Sequence, residues 1–319
     1  MTKNFISDEI IQDIPKFDSI IFDCDGVLVD IRKSYDYAIN KTISVIMKDI
    51  FNEDIPNVIT SKILHGLKST GGFNDEVAVV YAGVVTLVAS KKLNISFKNL
   101  INTVIENSNV TGINSVNDYF IKLNIDLAEI INKLDYTNSR KQSYIHRIFN
   151  QLFYGPDLFE KIFNEKSQFN DKPLIDMDDI ILDQNLISKL KDRFGKKIST
   201  VTGRGKFAFS YSMKNFLNDL DIEHSVFLED RLLSLAKPNP DSLMESISGI
   251  NSKCSLYVGD SMEDLLMVEK CKEKGLDVSF CGIYGSSDEP ELKFELFRKN
   301  NVTFILESIQ ELPKALNLV

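Results

Sequence analysis

Asp23 and Asp25 stand two residues apart at the end of the apolar run Ser19–Cys24, and Gly26 follows them. Side chains two apart on a strand point to the same side, so both carboxylates are expected to address one place. One carboxylate can attack phosphorus and form an aspartyl-phosphate while the other protonates the leaving oxygen. Gly26 permits the tight backbone turn that leaves both groups uncovered. Two aspartates before a glycine are also an ordinary surface turn, so the motif does not decide by itself. The chain holds its own contrast: Asp176 and Asp178 repeat the spacing, but Asp179 follows them and no apolar run precedes them. That second pair reads as an acidic linker or a first helical turn, favourable at the positive end of a helix dipole.

Three further islands bring complementary chemistry. Val201-Thr202-Gly203-Arg204 offers a hydroxyl and backbone N–H groups before a helix start, which suits a phosphoryl oxygen. Arg204 can pair with substrate or merely cap the surface, and the structural role is favoured. In Lys237-Pro238-Asn239-Pro240-Asp241 two prolines stiffen the chain and present Lys237 at a fixed place; the next helix is expected to start at Ser242 with Glu245 three residues on. Gly259-Asp260-Ser261-Met262-Glu263-Asp264 puts two carboxylates about one helical turn apart, a hard oxygen set suited to Mg²⁺. Asp260 could also simply cap the helix. Four carboxylates, Asp23, Asp25, Asp260 and Asp264, would repel a phosphate and raise one another's pKa values unless a divalent cation and Lys237 offset them.

The elements that must hold these residues follow from apolar patterning. Ser19–Cys24, Ile198–Thr202, Ser225–Leu228, Ser255–Gly259, Val278–Ile283 and Val302–Leu306 are continuous runs, which predicts strands buried on both faces. Met213, Phe216, Leu217 and Leu220 carry helical spacing, as do Leu265, Val268 and Cys271, with Gly275 at a C-terminal cap. Alternating strands and helices predict an α/β fold, a doubly wound parallel sheet, with the chemistry at the C-terminal strand ends. Residues 30–184 break the alternation and read as helical, most clearly at Tyr81–Lys92, Phe97–Asn107 and Ser143–Phe153. The expected division is a core of residues 1–29 and 185–319 and an inserted helical domain of residues 30–184.

Bulk properties narrow the function class. The chain has 319 residues, 43% hydrophobic and 26% charged, enough for substantial cores. A net charge of -9 argues against nucleic acid as a general partner. Val77–Ala89 is too short for a membrane span, which needs about 20 apolar residues, and reads as a buried helix. The first ten residues show no secretory pattern, and Cys24, Cys254, Cys271 and Cys281 form no ligand-like spacing; a cytoplasmic protein with reduced thiols, monomeric or homodimeric, is expected. His65, His146 and His224 are isolated and read as structural. No Gly-x-Gly-x-x-Gly follows the first strand, so a dinucleotide-binding domain is excluded.

In this order and on these strand ends, the four islands resemble the signature motifs of the haloacid dehalogenase-like superfamily. The resemblance covers roughly residues 17–30 and 185–319. It implies an α/β core with an enlarged helical cap, and a Mg²⁺-dependent phosphatase acting on a small phosphate ester. Asp23 would be the nucleophile and a metal ligand, Asp25 the general acid–base and a ligand through its carbonyl. Thr202, Gly203 and Gly26 would bind the phosphoryl group, with Lys237 joining nucleophile and phosphate. Asp260 would ligate Mg²⁺ and Asp264 would support it. Asp25 favours phosphatase or phosphomutase chemistry, since dehalogenases of the superfamily lack it; a silent binding protein would have shown degenerate motifs. The cap would choose the substrate, with Gly71–Asn74 as the expected specificity loop and Arg32 and Lys33 as possible anion contacts. Residues 30–35 and 71–75 are similar to a subfamily with relatives linked to histidine biosynthesis, so histidinol phosphate joins phosphoglycolate and sugar phosphates among the implied candidates.

Overall fold

The continuous β-branched runs become strands because the sheet buries both of their faces. A computed structural model describes residues 3–73, 75–136 and 143–318. Among them lie β1 (Phe5–Ile6), β2 (Ser19–Phe22), β3 (Val29–Asp30), β4 (Asp179–Ile180), β5 (Ile198–Thr202), β6 (Val226–Phe227), β7 (Ser255–Gly259), β8 (Val278–Ile283) and β9 (Phe304–Leu306). Seven form one sheet in the order β1-β9-β8-β7-β2-β5-β6. All neighbours in it are parallel except β1, which runs antiparallel to β9. β3 and β4 pair separately and antiparallel. Helices flank the sheet, so the expected doubly wound α/β fold is what the chain adopts.

Strand order decides where the islands meet. β2 pairs with β5 on one side and β7 on the other, so the turns after these strands emerge together at one sheet edge. Alternate side chains feed two apolar layers: Phe22 belongs to the layer that includes Leu186, Phe209 and Phe304, and Ile21 to the one that includes Leu243, Val268 and Phe297.

The chain divides into two compact units, Met1–Arg32 with Asp178–Val319, and Lys33–Met177. The second unit is helical. Its Glu76–Leu93 helix is buried from Val77 through Ser90 on every side, which accounts for the unbroken apolar run. Phe97–Asn107 is a helix as expected, and Tyr144–Phe163 extends the expected segment across a break at Gly155, whose φ is 65°. Among the described residues no helix is long and apolar enough to cross a membrane. In the expected specificity loop, Phe73 is fully buried and a side chain on Gly72 would collide with the backbone of Gly112, so this turn is packed into its own unit. Asn74 lies outside the described residues.

Several local expectations are corrected. Met213–Leu220 is not a helix: the helix runs over Lys206–Ser212, and the bonds Phe216 N–H to Met213 O and Asp219 N–H to Phe216 O make successive three-residue turns. Such turns keep the apolar side chains inward, which is why the spacing imitated a helix. The helix after the proline loop is Asp241–Gly249, starting before Ser242 and without a side-chain cap. β1, β3 and β4 had no sequence signal, being two residues long; β4 lies inside the stretch read as insertion yet belongs to the α/β unit.

At the opposite end of the central strands, Asp18 clips three segments together. Its carboxylate accepts from Ser252 Oγ at 2.6 Å, from the Lys253 and Cys254 N–H groups at 3.2 Å, and from Lys197 Nζ at 2.8 Å. Burial opposes its charge, but these donors win and lower its pKa from 3.8 to about 2. A depressed pKa contributes stability that is present above the unfolded value and lost as pH falls through about 2. Asp18→Asn is therefore expected to lower urea stability at pH 7 and to flatten its decline between pH 4 and pH 2 (about the two pKa values). An unchanged acid limb would assign the loss to other carboxylates.

Candidate active site

Asp23 follows β2 directly, held there by its N–H bond to Val258 O at 2.8 Å. Its Oδ1 accepts from the Cys24 N–H at 2.7 Å and lies 3.0 Å from Lys237 Nζ. Lys237 Nζ also stands 2.7 Å from Asp264 Oδ1. All three side chains are at least 95% buried. Burial pushes the Asp23 carboxyl well above the usual range; Lys237 opposes this, and Asp264, Asp260 and Asp25 add to it. Burial likewise penalises the Lys237 ammonium, but Asp23 and Asp264 outweigh it and hold its pKa above the ordinary lysine value. For Asp264 burial is overcome by Lys237, Ser261 and Tyr257, and its pKa is lowered.

Asp264 is the most fully bonded carboxylate of the group. Ser261 caps the helix Met262–Glu273 and Asp264 returns the bond, a capping box that replaces the cap considered for Asp260. Asp264 Oδ2 accepts from the Asp260 and Ser261 N–H groups and from Ser261 Oγ, while Oδ1 accepts from Tyr257 Oη at 2.8 Å. Tyr257 was invisible in the sequence, because an aromatic in a buried strand reads as core. Asp260 is half-buried, and Lys293 Nζ, from the helix Pro290–Lys299, lies 2.5 Å from its Oδ2. Nothing singled out Lys293: it is distant in sequence and sits in a charged helix that looks solvated.

Asp23, Asp260 and Asp264 each offer an oxygen within 4.8 Å of the others'. Around them, among the described residues, the carboxylates of Asp23, Asp25, Asp178, Asp260 and Asp264 pair with Lys237, Arg204 and Lys293. An all-oxygen donor set with surplus negative charge fits Mg²⁺. Of the three, Asp264 already accepts from Tyr257, from Ser261 Oγ and from two backbone N–H groups.

Asp25 goes elsewhere. β2 ends at Phe22, so the two-residue period no longer governs the turn, and the Asp25 carboxylate does not join the Asp23 cluster. Its Oδ1 lies 2.7 Å from Arg204 Nη2, which also donates to Asp178 Oδ2 at 2.9 Å. The Arg204 side chain is fully buried, so it does not cap the surface as its structural reading had it. Asp178, read as part of an acidic linker or a first helical turn, has its side chain buried in this pair, where the chain re-enters the α/β unit. Thr202 ends β5 and is buried, its Oγ1 accepting from the Arg204 N–H at 3.1 Å. Gly203 is exposed beside it, and Glu229 and Asp230 accept from the N–H groups of Gly205 and Lys206.

The remaining candidates have local partners. Arg32 pairs with Asp30 at 2.5 Å and reaches Ser287 O at 3.4 Å. His224 bonds Asp221 and His65 meets Ser69, while His146 is buried 3.7 Å from Asp75. All four cysteines are free and buried.

Gly26 couples the first and last islands. Its φ is +74°, and an added Cβ would stand 2.3 Å from Asp260 Oδ2. Gly26→Ala is expected to cost about 1–3 kcal/mol in urea denaturation from backbone strain alone. At Gly203 an added Cβ meets nothing within 4 Å, so Gly203→Ala should stay within about 0.5 kcal/mol of the parent. Equal costs at the two positions would contradict the close approach.

No family model and no curated protein sequence matches this chain. Solved structures do. Phosphatase Tt82 from Thermococcus thioreducens is 22% identical, with a TM-score of 0.55 over 87% of this chain and 98% of its own. A protein described as a haloacid dehalogenase-like hydrolase, from Bacteroides fragilis, is 14% identical, with a TM-score of 0.50 over 93% of this chain and 99% of its own. The α/β core and its helical insertion thus share the fold of these hydrolases.

Proposed function

We propose that this chain is a Mg²⁺-dependent phosphomonoester hydrolase of the haloacid dehalogenase-like superfamily, acting on a small phosphorylated metabolite. The observation that carries this reading is the buried Lys237 ammonium, 3.0 Å from Asp23 Oδ1 and 2.7 Å from Asp264 Oδ1, beside the oxygens of Asp260. A fixed cation against one carboxylate at a strand end is what a phosphoryl-accepting aspartate needs, since two anions must approach each other. The fold shared with a protein named a phosphatase points the same way. Four free, buried cysteines accord with a reducing, cytoplasmic setting.

In the proposed reaction an Asp23 oxygen attacks phosphorus, and the bond from phosphorus to the ester oxygen breaks. Asp25 gives its proton to that oxygen, so the alcohol leaves neutral. Water then attacks the phosphorus of the aspartyl-phosphate, Asp25 takes the proton back, and the Asp23–phosphate bond breaks to release inorganic phosphate. Thr202 and the exposed Gly203 N–H would hold phosphoryl oxygens, and Lys237 would keep Asp23 ionised and near the phosphate. Asp23, Asp260 and the Asp25 carbonyl would hold Mg²⁺ and Asp264 would support it, and the ion would supply neutralisation of charge on the phosphoryl group.

Asp23→Asn is expected to abolish release of p-nitrophenol from p-nitrophenyl phosphate, and EDTA to do so reversibly, with Mg²⁺ restoring the rate. Full turnover by the Asn variant would refute the nucleophile. Asp25→Ala should lose roughly 10²–10⁴-fold on an alkyl phosphate and much less on the aryl ester, whose leaving group scarcely needs a proton. Equal losses would remove Asp25 from the acid role. A panel of metabolite phosphates with Mg²⁺, scored for free phosphate, identifies the substrate.

A further inference from the structure

Arg204 is a buried charge with no task in the reaction as written. An arginine just after Thr202-Gly203 would ordinarily be assigned to the phosphate, yet its side chain has no exposed surface. Its guanidinium is fixed at three points. Nη1 donates to Ser212 Oγ at 2.7 Å, Nη2 donates to Asp178 Oδ2 at 2.9 Å, and Nη2 also lies 2.7 Å from Asp25 Oδ1. The contact to Asp178 is a directed hydrogen bond. The contact to Asp25 is an ion pair that leaves the buried Oδ1 without a hydrogen bond of its own. Asp178 and Ser212 thus orient the guanidinium, and the guanidinium in turn determines where the Asp25 carboxylate rests.

Backbone pairing closes the same ring from the other side. Asp25 bridges to Val29, Val29 and Asp30 pair with Ile180 and Asp179, and Asp178 immediately precedes that strand. Asp25 and Asp178 are therefore brought to one corner by main-chain register and joined there by one cation. Two carboxylates, Asp25 and Asp178, meet the one guanidinium, so the place of either is coupled to the other through Arg204. Asp178 is only 3% exposed whereas Asp25 is 21% exposed, so Asp25 is the member that solvent or a ligand can reach.

We propose that Asp178 is a positioning residue which, through Arg204, fixes the Asp25 carboxylate for proton transfer to the leaving group. This rests on the reading of Asp25 as the general acid. Steps that need that proton depend on Asp178, and attack by Asp23 does not.

The test uses the full chain with Mg²⁺ and two substrates, p-nitrophenyl phosphate and an alkyl phosphate. Asp178→Asn is expected to lose roughly 10–100-fold in kcat on the alkyl ester, a fraction of a full general-acid effect, and less than about threefold on the aryl ester. Added to Asp25→Ala it should cause no further loss on the alkyl ester, because both changes remove one function. Uniform losses on the two esters, or losses that multiply in the double variant, would overturn the assignment and leave Asp178 a fold residue. Should circular dichroism show Asp178→Asn unfolded, Ser212→Ala removes one anchor of Arg204 and no charge, and the same leaving-group-selective loss is required of it. Absence of phosphate release from both esters by the parent chain with Mg²⁺ would instead strike at the hydrolase reading itself, so the two failures are told apart.

Discussion

Everything at this sheet edge is arranged around one buried ammonium. Lys237 would not stay charged inside the protein on its own, because desolvation opposes the charge. It stays charged because Asp23 and Asp264 flank it at 3.0 and 2.7 Å. Those carboxylates in turn would be costly without it: Asp23 is already pushed upward by burial, and Lys237 is the opposing influence. Each partner thus sets the condition for the others, and the backbone must hold all three. β2 delivers Asp23, the capping box of the helix after β7 delivers Asp264, and the proline loop delivers Lys237. A buried group of this kind contributes little net stability, and losing one member leaves an uncompensated charge. What it does fix is the position of three charges at one sheet edge.

The surrounding charges are partitioned rather than pooled. Lys237 serves Asp23 and Asp264, Arg204 serves Asp25 and Asp178, and Lys293 serves Asp260. Among the described residues, Asp23, Asp260 and Asp264 form an acidic cluster that a divalent cation would offset. Its acidity is concentrated where Asp23 and Asp260 face each other, since Asp264 is saturated by donors and Asp25 is turned to Arg204. Gly26 belongs to the same constraint: without a side chain it lets Asp260 approach the first turn closely.

The strands and the residues at their ends were legible because both write strong local signals. β5, β7 and β8 lie where continuous apolar runs put them, and Asp23, Lys237, Asp260 and Asp264 meet as strand order requires. The rest depended on tertiary information. Lys293 and Tyr257 look like a surface charge and a core aromatic until the fold sets them beside Asp260 and Asp264. Asp178 was legible as an acid but not as a buried one, because its burial depends on Arg204, distant in sequence. β3 and β4 are too short for any periodicity, and Met213–Leu220 shows that inward-facing side chains can come from three-residue turns as well as from a helix.

The sharpest departure concerns the pair that looked simplest. Spacing of two implied that Asp23 and Asp25 share one environment, but strand geometry stops at Phe22 and the turn sends them apart. Asp23 meets Lys237 and two carboxylates; Asp25 meets Arg204 and Asp178. Two carboxylates with distinct partners can take distinct roles, one kept as an anion and one exchanging a proton, whereas a shared site would force them to divide a single charge. The turn at Gly26 therefore gives different partners to two residues that the sequence sets almost side by side.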